Sequence, residues 1–455
     1  MNTTSRGAMN NNRGRRSVAL AAVVLSVTLG AGCEVTNPGP VQDEFLSLDA
    51  SQQGLVNGAK ERLTRTIGWM SYSTGLIARE IFPGGQIGSY GHTVTNQAGS
   101  HVWSSSGPNG EYNLAQQGRW VAEEAIRRFT AVGNVPPALM FEAYNWAGYA
   151  NRVLGENYCE SVIDGGPLES GSKYFERAEK HFTDAIAIAP TTATKQAAYA
   201  GRAQVRVWLK KWNDAVSDAG QVPDNFVFNI EMDITIGGNV NQRNQLYFAA
   251  ASAPYRSYSV KYTFFEDYYN QTGDPRTPWV DYASTSDRLC VGSLQGLGRV
   301  PCLRMWKYKS EDEDMRLASG REMRLIEAEA LLVQGNIAAA LAKINGVRTS
   351  IVSTKTGQPL APWTATTLAE AWTVLKRERG IELWLEARRM GDQRRWDEGN
   401  TPGSYELPNF EARSTLFTQN PRGREAVDGQ LQPRLLCYNI SNTERNTNPN
   451  IPDVS

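Results

Sequence analysis

The chain contains 455 residues, which is long enough for one large hydrophobic core or for two domains. Its composition is that of an ordinary globular protein, with 41% hydrophobic, 9% aromatic and 21% charged residues. The 47 basic residues are balanced by 47 acidic ones. We therefore expect no nucleic-acid partner, because binding to phosphates requires a basic excess.

The first 32 residues have the organisation of an export signal. Arg13, Arg15 and Arg16 precede an apolar run, Val18–Leu29, which is too short to span a bilayer. Small residues then lead to Cys33, as in a bacterial lipobox. We predict removal of residues 1–32 and acylation of Cys33, for example with palmitate; ordinary signal cleavage and secretion is the alternative.

Residues 33–44 contain Pro38 and Pro40 and are predicted to form an extended tether between the lipid and the folded part. No later stretch is apolar for about 20 residues, so the sequence predicts no membrane-spanning helix after the signal.

The rest of the chain, 45–455, is predicted to form one mainly all-α domain, because apolar residues recur at helical spacing and no segment alternates with period two. In chain order the predicted helices are 45–66, 69–81, 115–132, 138–157, 172–189, 192–209, 212–220, 315–333, 337–347 and 366–390.

One segment has the spacing of the second helix of a tetratricopeptide unit. Ala178, Phe182, Ala185 and Pro190 are separated by 4, 3 and 5 residues, so small side chains allow close helix packing and proline ends the pair. Ala340, Ile344 and Val347 repeat the pattern, and residues 215–222 do so more weakly. This predicts a tetratricopeptide-like scaffold over about 45–220 and 315–400.

Residues 223–310 interrupt this scaffold. They are rich in aromatic residues and contain repeated glycine and proline breaks, which predicts a large irregular, loop-rich insertion. The segment 83–113 and the chain after Gly391 are also predicted to be loop-rich.

Four cysteines follow Cys33, and an exported chain can form disulfides. Cys290 and Cys302 bracket a short glycine-rich segment, which makes their pairing the favoured one. Cys159 and Cys437 either pair with each other or remain buried thiols.

The C-terminal half resembles the SusD/RagB family. The resemblance rests on three motifs in the family's order: residues 323–348, which include Gly335-Asn336; residues 378–396, which include Glu378-Arg379 and Arg394-Arg395-Trp396; and residues 436–451, which end in Asn448-Pro449-Asn450. Ala387 stands where the family often has glycine, and Cys437 stands where it usually has proline.

The resemblance implies a lipoprotein of four tetratricopeptide-like helix pairs, anchored in the outer membrane and facing the cell exterior. It also implies a TonB-dependent, SusC-like outer-membrane barrel as partner, and oligosaccharide, or peptide in some members, as cargo. The alternative hypothesis is a protein-interaction or surface-assembly scaffold of the cell envelope.

The charged residues of the second motif can be interpreted in two ways. Glu378, Arg379, Glu382, Glu386 and Arg388 are spaced to form ion pairs along a helix, and Asp392, Arg394 and Arg395 can clamp the following loop. A structural network is favoured over a catalytic carboxylate pair. Glu311–Asp314 are predicted to complement the N-terminus of the helix at Met315; no ligand spacing supports a Ca²⁺ site there.

No motif of a known catalytic or metal site occurs. The three histidines, His92, His101 and His181, form no His-Glu-x-x-His pair, and the sequence contains no Cys-x-x-Cys, P-loop or Gly-x-Ser-x-Gly motif. We therefore predict a protein without catalytic residues, metal or cofactor, although glycosidase carboxylates need no sequence motif.

Two loop regions combine aromatic and hydrogen-bonding residues, a mixture that suits sugars because flat rings cover their C–H faces and polar groups bond their hydroxyls. The ligand-binding candidates are Tyr90, Asn96 and Trp103 in the first region and Arg276, Trp279 and Tyr282 in the second.

Overall fold

The structure is a computed structural model that describes residues 45–46, 48–83, 111–235, 242–251, 256–281, 289–291, 301–404 and 436–451. The predictions for the signal 1–32, for the tether 33–44 and for Cys33, Tyr90, Asn96, Trp103 and Tyr282 lie outside these residues. Asp49–Ser455 is one unit by its internal contacts.

The first helix, α1, spans Asp49–Ile77 as one continuous helix, where the sequence predicted two. Gly68 lies within this helix where another part of the backbone approaches closely: an added Cβ would lie 3.3 Å from the carbonyl oxygen of Arg243. Helices α2, Glu111–Val132, and α3, Pro137–Asn157, pack beside it. Proline at the first position of α3 suits a helix start, where no N–H partner is needed.

The predicted tetratricopeptide packing is confirmed in α4, Ser172–Ile188, and α5, Thr192–Trp208. Phe182 is fully buried, and a Cβ added at Gly148 of α3 would lie only 2.6 Å from its ring; one added at Gly201 of α5 would be closer still. Glycines therefore make room for this ring on both neighbouring helices. Helix α6, Trp212–Ala219, completes this part.

The C-terminal scaffold consists of α9, Gly320–Val333, and α10, Ile337–Thr349, followed by α11, Leu368–Glu382, and α12, Arg389–Glu398. A short helix, α13, spans Asn442–Thr447. The core between α9, α10, α11 and α12 contains Leu325, Leu332, Ile344, Leu375 and Trp396.

The prediction of a helix over residues 315–333 was wrong for its first five residues. Met315–Ser319 is a strand, β8, which pairs antiparallel with β4, Val227–Ile230. The side chain of Ser319 accepts a hydrogen bond from the backbone N–H of Glu322 and caps α9. The acidic residues before the strand therefore do not complement this helix; Asp314 instead accepts a hydrogen bond from Met232 N at 3.1 Å.

The predicted helix 366–390 was also wrong, because the chain leaves the helix after Glu382 and α12 begins at Arg389. Leu385 and Ala387, in the connecting turn, both have positive φ angles, of 59° and 57°. Glu80 holds this turn: its Oε1 accepts a hydrogen bond from Leu385 N at 3.0 Å, and its carbonyl oxygen accepts one from Trp384 Nε1 at 3.1 Å. Left-handed backbone breaks a helix whatever the side-chain pattern.

The insertion between α6 and α9, for which an irregular, loop-rich segment was predicted, contains several short helices and strands. In chain order they are β4, then α7 (Gln245–Ala251), β5 (Tyr258–Ser259), α8 (Phe264–Thr272), β6 (Trp279–Asp281) and β7 (Leu303–Met305). Two further short strands, β2 (Glu160–Ser161) and β3 (Glu169–Ser170), pair with each other after α3. Among the helices that the structure describes, none combines the length and apolar character needed to cross a bilayer.

Candidate ligand-binding site

The two predicted ligand loops follow strands that are linked through two other short strands. The strand β1, Phe82–Pro83, precedes the first loop and pairs antiparallel with β5 of the insertion. The backbone N–H of Val260, directly after β5, donates to Leu303 O in β7 at 2.8 Å, and β7 pairs with β6. Residues 84–110 and 282–288 therefore follow β1 and β6, which are linked through β5 and β7, although the two segments are 172 or more positions apart in the sequence.

Four half-buried aromatic residues in α8 and in or near β5, β6 and β7 are called here the aromatic cluster: Tyr262, Tyr269, Trp279 and Trp306. Glu266, in the first turn of α8, connects two of them. Its Oε2 accepts a hydrogen bond from Tyr262 N at 2.9 Å, and its carbonyl oxygen accepts one from Trp279 Nε1 at 3.1 Å. Half-buried rings with anchored polar groups offer flat surface to a ligand at little loss of side-chain entropy.

Tyr262 has a strained backbone. Its φ angle of 68° is uncommon for a bulky residue and costs about 1–2 kcal/mol. The bond to Glu266 and the edge-on contact with Phe82, at a centroid distance of 5.5 Å, hold it in place. Burial raises the pKa of the Tyr262 hydroxyl above its usual value, so the ring presents a neutral hydroxyl. Strain of this kind is concentrated at functional sites.

Polar groups surround the other rings of the cluster. The guanidinium of Arg304 lies 4.1 Å from the centre of the Trp306 ring. Lys355, from the loop after α10, lies 5.3 Å from the Tyr269 ring, and its Nζ donates to Asn270 O at 2.7 Å. Tyr269 and Trp279 meet edge to face, with centroids 6.2 Å apart. The cluster thus combines ring faces with cationic hydrogen-bond donors.

Arg276, a predicted ligand contact, has a different role. Its side chain is 6% exposed and its guanidinium is occupied by Asp274 at 2.8 Å, Glu378 at 2.8 Å and Glu382 at 3.0 Å. These carboxylates raise the pKa of Arg276 well above its usual value, against the effect of burial. The residue is therefore part of the protein core, and the prediction that it contacts a ligand is corrected.

Arg276 belongs to a group of buried charges called here the charge network: Arg276, Lys307, Arg316, Glu378, Glu382 and Glu386. Arg316 bonds Glu382 at 2.8 Å and Glu386 at 2.7 Å, and Lys307 bonds Glu386 at 2.6 Å. Burial alone would raise the pKa of Glu382, but Arg316, Arg276 and Arg321 lower it to about 2. Glu382 is therefore ionised at neutral pH, and all three carboxylates of the network are paired with cations, which suits a structural role and not that of a general acid.

The second-motif charges are thus structural, as predicted, but their partners differ from a ladder along one helix. Arg379 clamps Asp392 with bonds of 2.9 and 3.1 Å, and Arg394 donates to the carbonyl oxygens of Tyr158 and Gly155. Arg388 pairs with Glu156 and Glu322 of α3 and α9. The charges therefore fasten the turn after α11 to the rest of the scaffold.

Two disulfides are present. Cys290 and Cys302 are bonded, the pairing that their spacing favoured, with Cα atoms 4.7 Å apart. Cys159 and Cys437, for which two possibilities were open, are also bonded, across 278 positions of sequence. The first disulfide closes the segment between β6 and β7, and the second ties the C-terminal motif to the end of α3, where Tyr438 N donates to Asn157 O.

Sequence reasoning identified Trp279 but did not single out Tyr262, Glu266 or Lys355 as site residues. Trp279 stands on β6, opposite Met305 of β7. Tyr262 is one of many aromatic residues in the insertion, and its positive φ angle has no sequence signal, because such angles are expected for glycine or asparagine. Lys355 lies in a loop that only the fold brings against α8.

Comparison with known proteins places these features in context. Residues 300–452 match the profile of the SusD family. A search of curated proteins finds no match.

Among solved structures, a SusD superfamily protein from Bacteroides vulgatus is similar over 89% of this chain and 98% of its own, with a TM-score of 0.60 and 13% identity. Surface glycan-binding protein A from Bacteroides uniformis has a TM-score of 0.59 and 13% identity over 89% of this chain and 99% of its own. A SusD-like carbohydrate binding protein from Bacteroides vulgatus has a TM-score of 0.55 and 15% identity, over 76% and 82%. At these identities the similarity is one of fold.

Proposed function

We propose that this chain is a member of the SusD/RagB family, whose profile residues 300–452 match, and that it is a glycan-binding lipoprotein of the bacterial outer membrane that captures oligosaccharides for import. The names of two structural neighbours, a surface glycan-binding protein and a carbohydrate binding protein, support the ligand class. The aromatic cluster has the chemistry that this ligand requires, namely ring faces for the C–H surface of a sugar and cationic donors for its hydroxyls.

The observation that carries the proposal is the pairing of β1 with β5. It brings Phe82–Pro83, the strand after which the first predicted loop begins in the sequence, next to β5 of the insertion that contains Trp279. The two parts of the sequence with a sugar-binding composition thus follow strands, β1 and β6, that are linked through β5 and β7. Binding residues are commonly carried by loops that a rigid scaffold positions.

The test is a titration of the purified, lipidated chain with a panel of soluble oligosaccharides, measured by calorimetry. For the glycan that binds, we expect Trp306→Ala to weaken binding about tenfold or more, because an aromatic contact is commonly worth over 1 kcal/mol. Trp212→Ala is the matched control: it removes a half-buried tryptophan that packs against the α5–α6–α9 core. Equal effects of the two variants, or no glycan bound at all, would contradict the site.

The protein is proposed to bind its ligand without breaking a bond. Within the described residues, the buried carboxylates of the charge network are held in ion pairs and none is poised as a proton donor to a ligand in the aromatic cluster. Prolonged incubation of the bound glycan with a large amount of protein should therefore yield no new reducing ends. Turnover that survives repeated purification would overturn this part.

The proposal also includes a lipid anchor and a transport partner in the outer membrane. We expect Cys33 to carry the lipid, so that Cys33→Ala moves the protein from the membrane fraction to the soluble fraction. A pull-down of the tagged chain from detergent-solubilised envelopes should recover a TonB-dependent barrel in near-equal amount. Recovery of only a polymer of the chain, or of a periplasmic complex without a barrel, would favour the scaffold hypothesis instead.

A further inference from the structure

The turns between helices α2 to α6 lie at two opposite ends of the scaffold. Helices α3 and α4 pack antiparallel: a Cβ added at Gly148 would lie 2.6 Å from the ring of Phe182, whereas one added at Gly155 would lie 2.7 Å from that of Phe175. The beginning of α3 is therefore beside the end of α4. The α2–α3 and α4–α5 turns consequently share one end of the scaffold, and the α3–α4 and α5–α6 turns share the other.

These two ends differ in charge. The sequence contains no charged residue from Phe129 to Phe141 or from Ala185 to Thr194, the stretches that include the α2–α3 and α4–α5 turns. This side is called here the apolar end. The turns at the opposite end contain five charged residues: Glu160, Asp164, Glu169, Lys210 and Lys211. The same helices thus end in charged turns on one side and in uncharged turns on the other.

The apolar end also exposes hydrophobic side chains. Val132, the last residue of α2, is 39% exposed. Apolar residues that are grouped on a surface, in contrast to single scattered ones, are typical of places that contact a partner or a membrane. The two turns of this end further expose Pro136, Pro137, Ala138, Ala187, Pro190 and Ala193.

The backbone of the α2–α3 turn has few polar groups that would lose water on contact with lipid. Pro136 and Pro137 have no N–H group. The N–H of Gly133 donates to Phe129 O at 3.0 Å. The N–H of Leu139 donates to Pro136 O at 2.9 Å. Because unpaired backbone groups are what a lipid phase excludes most strongly, this turn is suited to an apolar medium.

Helix α1 begins at the apolar end. A Cβ added at Gly58 of α1 would lie 3.8 Å from Val121 of α2, and one added at Gly118 of α2 would lie 3.4 Å from the Cβ of Arg62. The two helices are therefore antiparallel, because the position on α2 moves back as the position on α1 moves forward. Asp49, the first residue of α1, is consequently near the end of α2.

The covalent chain connects this end of the scaffold to the proposed lipid anchor. Asp49 is 16 positions after Cys33, and a chain of this length spans at most about 55 Å. The other end of α1 is farther from the anchor along the chain by the length of the helix, about 40 Å. An acylated Cys33 would therefore tether the apolar end more closely to the membrane than the charged end.

We propose that the apolar end rests on the lipid surface of the membrane that holds Cys33, with the α2–α3 and α4–α5 turns among the lipid headgroups. The inference goes beyond glycan binding and rests on the proposed function only for the lipid anchor. A lipid surface fits this end because it accepts uncharged, apolar side chains, and because buried apolar area adds to the attachment that an acyl group provides.

The test places an additional fluorescent ring at the apolar end. The purified, lipidated protein is reconstituted into phosphatidylcholine vesicles whose acyl chains carry bromine, which quenches tryptophan on contact, and the vesicles are isolated by flotation. Val132→Trp adds one tryptophan to the 12 of the chain. We expect the added fluorescence, relative to the unmodified protein, to be about half or less of that in unbrominated vesicles, because interfacial side chains reach the boundary of the acyl chains.

Val333→Trp is the matched control. Val333 is also the last residue of its helix, α9, and it is 47% exposed. A Cβ added at Gly320, where α9 begins, would meet the backbone of Pro223, which follows α6. Farther along α9, Arg324 donates to Ala219 O within α6. Helix α9 therefore runs toward the charged end, and we expect the bromine to leave the added fluorescence of this variant unchanged.

Flotation distinguishes this inference from the proposed anchor. Protein that does not float with the vesicles would contradict the anchor and the inference together. If the protein floats but both added rings are quenched equally, the anchor stands and the inference is wrong. If neither ring is quenched in these vesicles, which contain no other protein, the apolar end contacts a protein partner instead, and the inference is again wrong.

A charge at the apolar end provides a second test. Pro136 is the N-cap residue of α3, a position at which aspartate is favoured, so Pro136→Asp should leave helical circular dichroism unchanged. We expect Pro136→Asp, combined with Val132→Trp, to remove most of the quenching, because a carboxylate must keep its water and lifts the turn from the lipid. Undiminished quenching in the double variant would show that the turn is not held at the membrane by its apolar character.

Discussion

The charge network and the aromatic cluster lie on neighbouring segments of the chain but are constructed in opposite ways. Arg276, in the network, is held by three carboxylates and is 6% exposed. Trp279, three residues later, is half-buried, and its side chain donates one hydrogen bond, to the carbonyl oxygen of Glu266. The charges of the network are held in ion pairs with each other and with neighbouring residues, whereas the cluster leaves ring surface available. This difference indicates which residues hold the fold and which are free to contact a ligand.

The largest effect is expected from breaking the network. Arg276→Met should lower the free energy of unfolding by about 3–5 kcal/mol, because it leaves Asp274, Glu378 and Glu382 buried without their shared cation. Denaturant titration measures this change. Arg127→Met is the control: its side chain is 65% exposed and its ion pair with Glu124 should contribute under about 1 kcal/mol.

If Arg276→Met were instead stable but unable to bind glycan, the assignment of Arg276 to the core would be wrong. The original prediction of a ligand contact would then be restored. The two roles are distinguished by measuring stability and glycan affinity on the same preparation.

Glu80 connects the two regions and should make stability depend on pH. It bonds the turn after α11 on one side, and it precedes Ile81 and Phe82, the residues that lead into the first ligand loop. Burial raises the pKa of Glu80 to about 7, against the opposing effects of the Leu385 N–H and of Arg389 and Lys307. Since the unfolded chain releases this proton at lower pH, the folded state loses relative stability as the pH rises.

Between pH 4.5 and 7 the unfolded chain has lost the Glu80 proton while the folded protein retains it, so stability should fall by about 1.4 kcal/mol per pH unit from this group. Glu80→Gln keeps an acceptor for Leu385 N and cannot ionise. We expect the free energy of unfolding of this variant, relative to that of the unmodified protein, to rise by about 2–3 kcal/mol between pH 4.5 and pH 7. If the two proteins differed in unfolding free energy by the same amount at every pH in this range, Glu80 would not be buried and protonated as described.

The sequence predicted those parts of the molecule whose contacts are local. The spacing of Ala178, Phe182 and Ala185 was sufficient to predict the packing of α4, because small residues and one ring recur on a single helix face. The helices at 192–209 and 337–347 were also close to the observed α5 and α10 for this reason.

The errors arise where distant residues decide the structure. Met315–Ser319 has a helical pattern, but its pairing with β4, more than 80 positions earlier, makes it a strand. Arg276 lies in a polar, aromatic segment typical of ligand loops, yet its carboxylate partner Glu382 is 106 positions away. Such partners cannot be identified from one sequence, because burial of a charge depends on the whole fold.

The smallest predicted effect concerns two residues with left-handed backbone, one in each region. Ala387 lies in the turn fixed by the charged residues, at a position where the family often has glycine, and its φ angle is 57°. Ala387→Gly should raise the free energy of unfolding by about 0.5–1 kcal/mol, because glycine adopts this angle without strain, although part of the gain is offset by the greater entropy of the unfolded chain. Glycan affinity should not change.

Tyr262→Gly relieves the same kind of strain in the aromatic cluster, where the φ angle is 68°, but it also removes the ring that contacts Phe82. We therefore expect little gain in stability and a loss of glycan affinity, the opposite pattern to Ala387→Gly. Thermal unfolding measures the stability of each variant, and calorimetric titration measures its glycan affinity. If Tyr262→Gly bound glycan normally and were more stable, the strained tyrosine would have no part in binding, and the functional cluster would be reduced to Tyr269, Trp279 and Trp306.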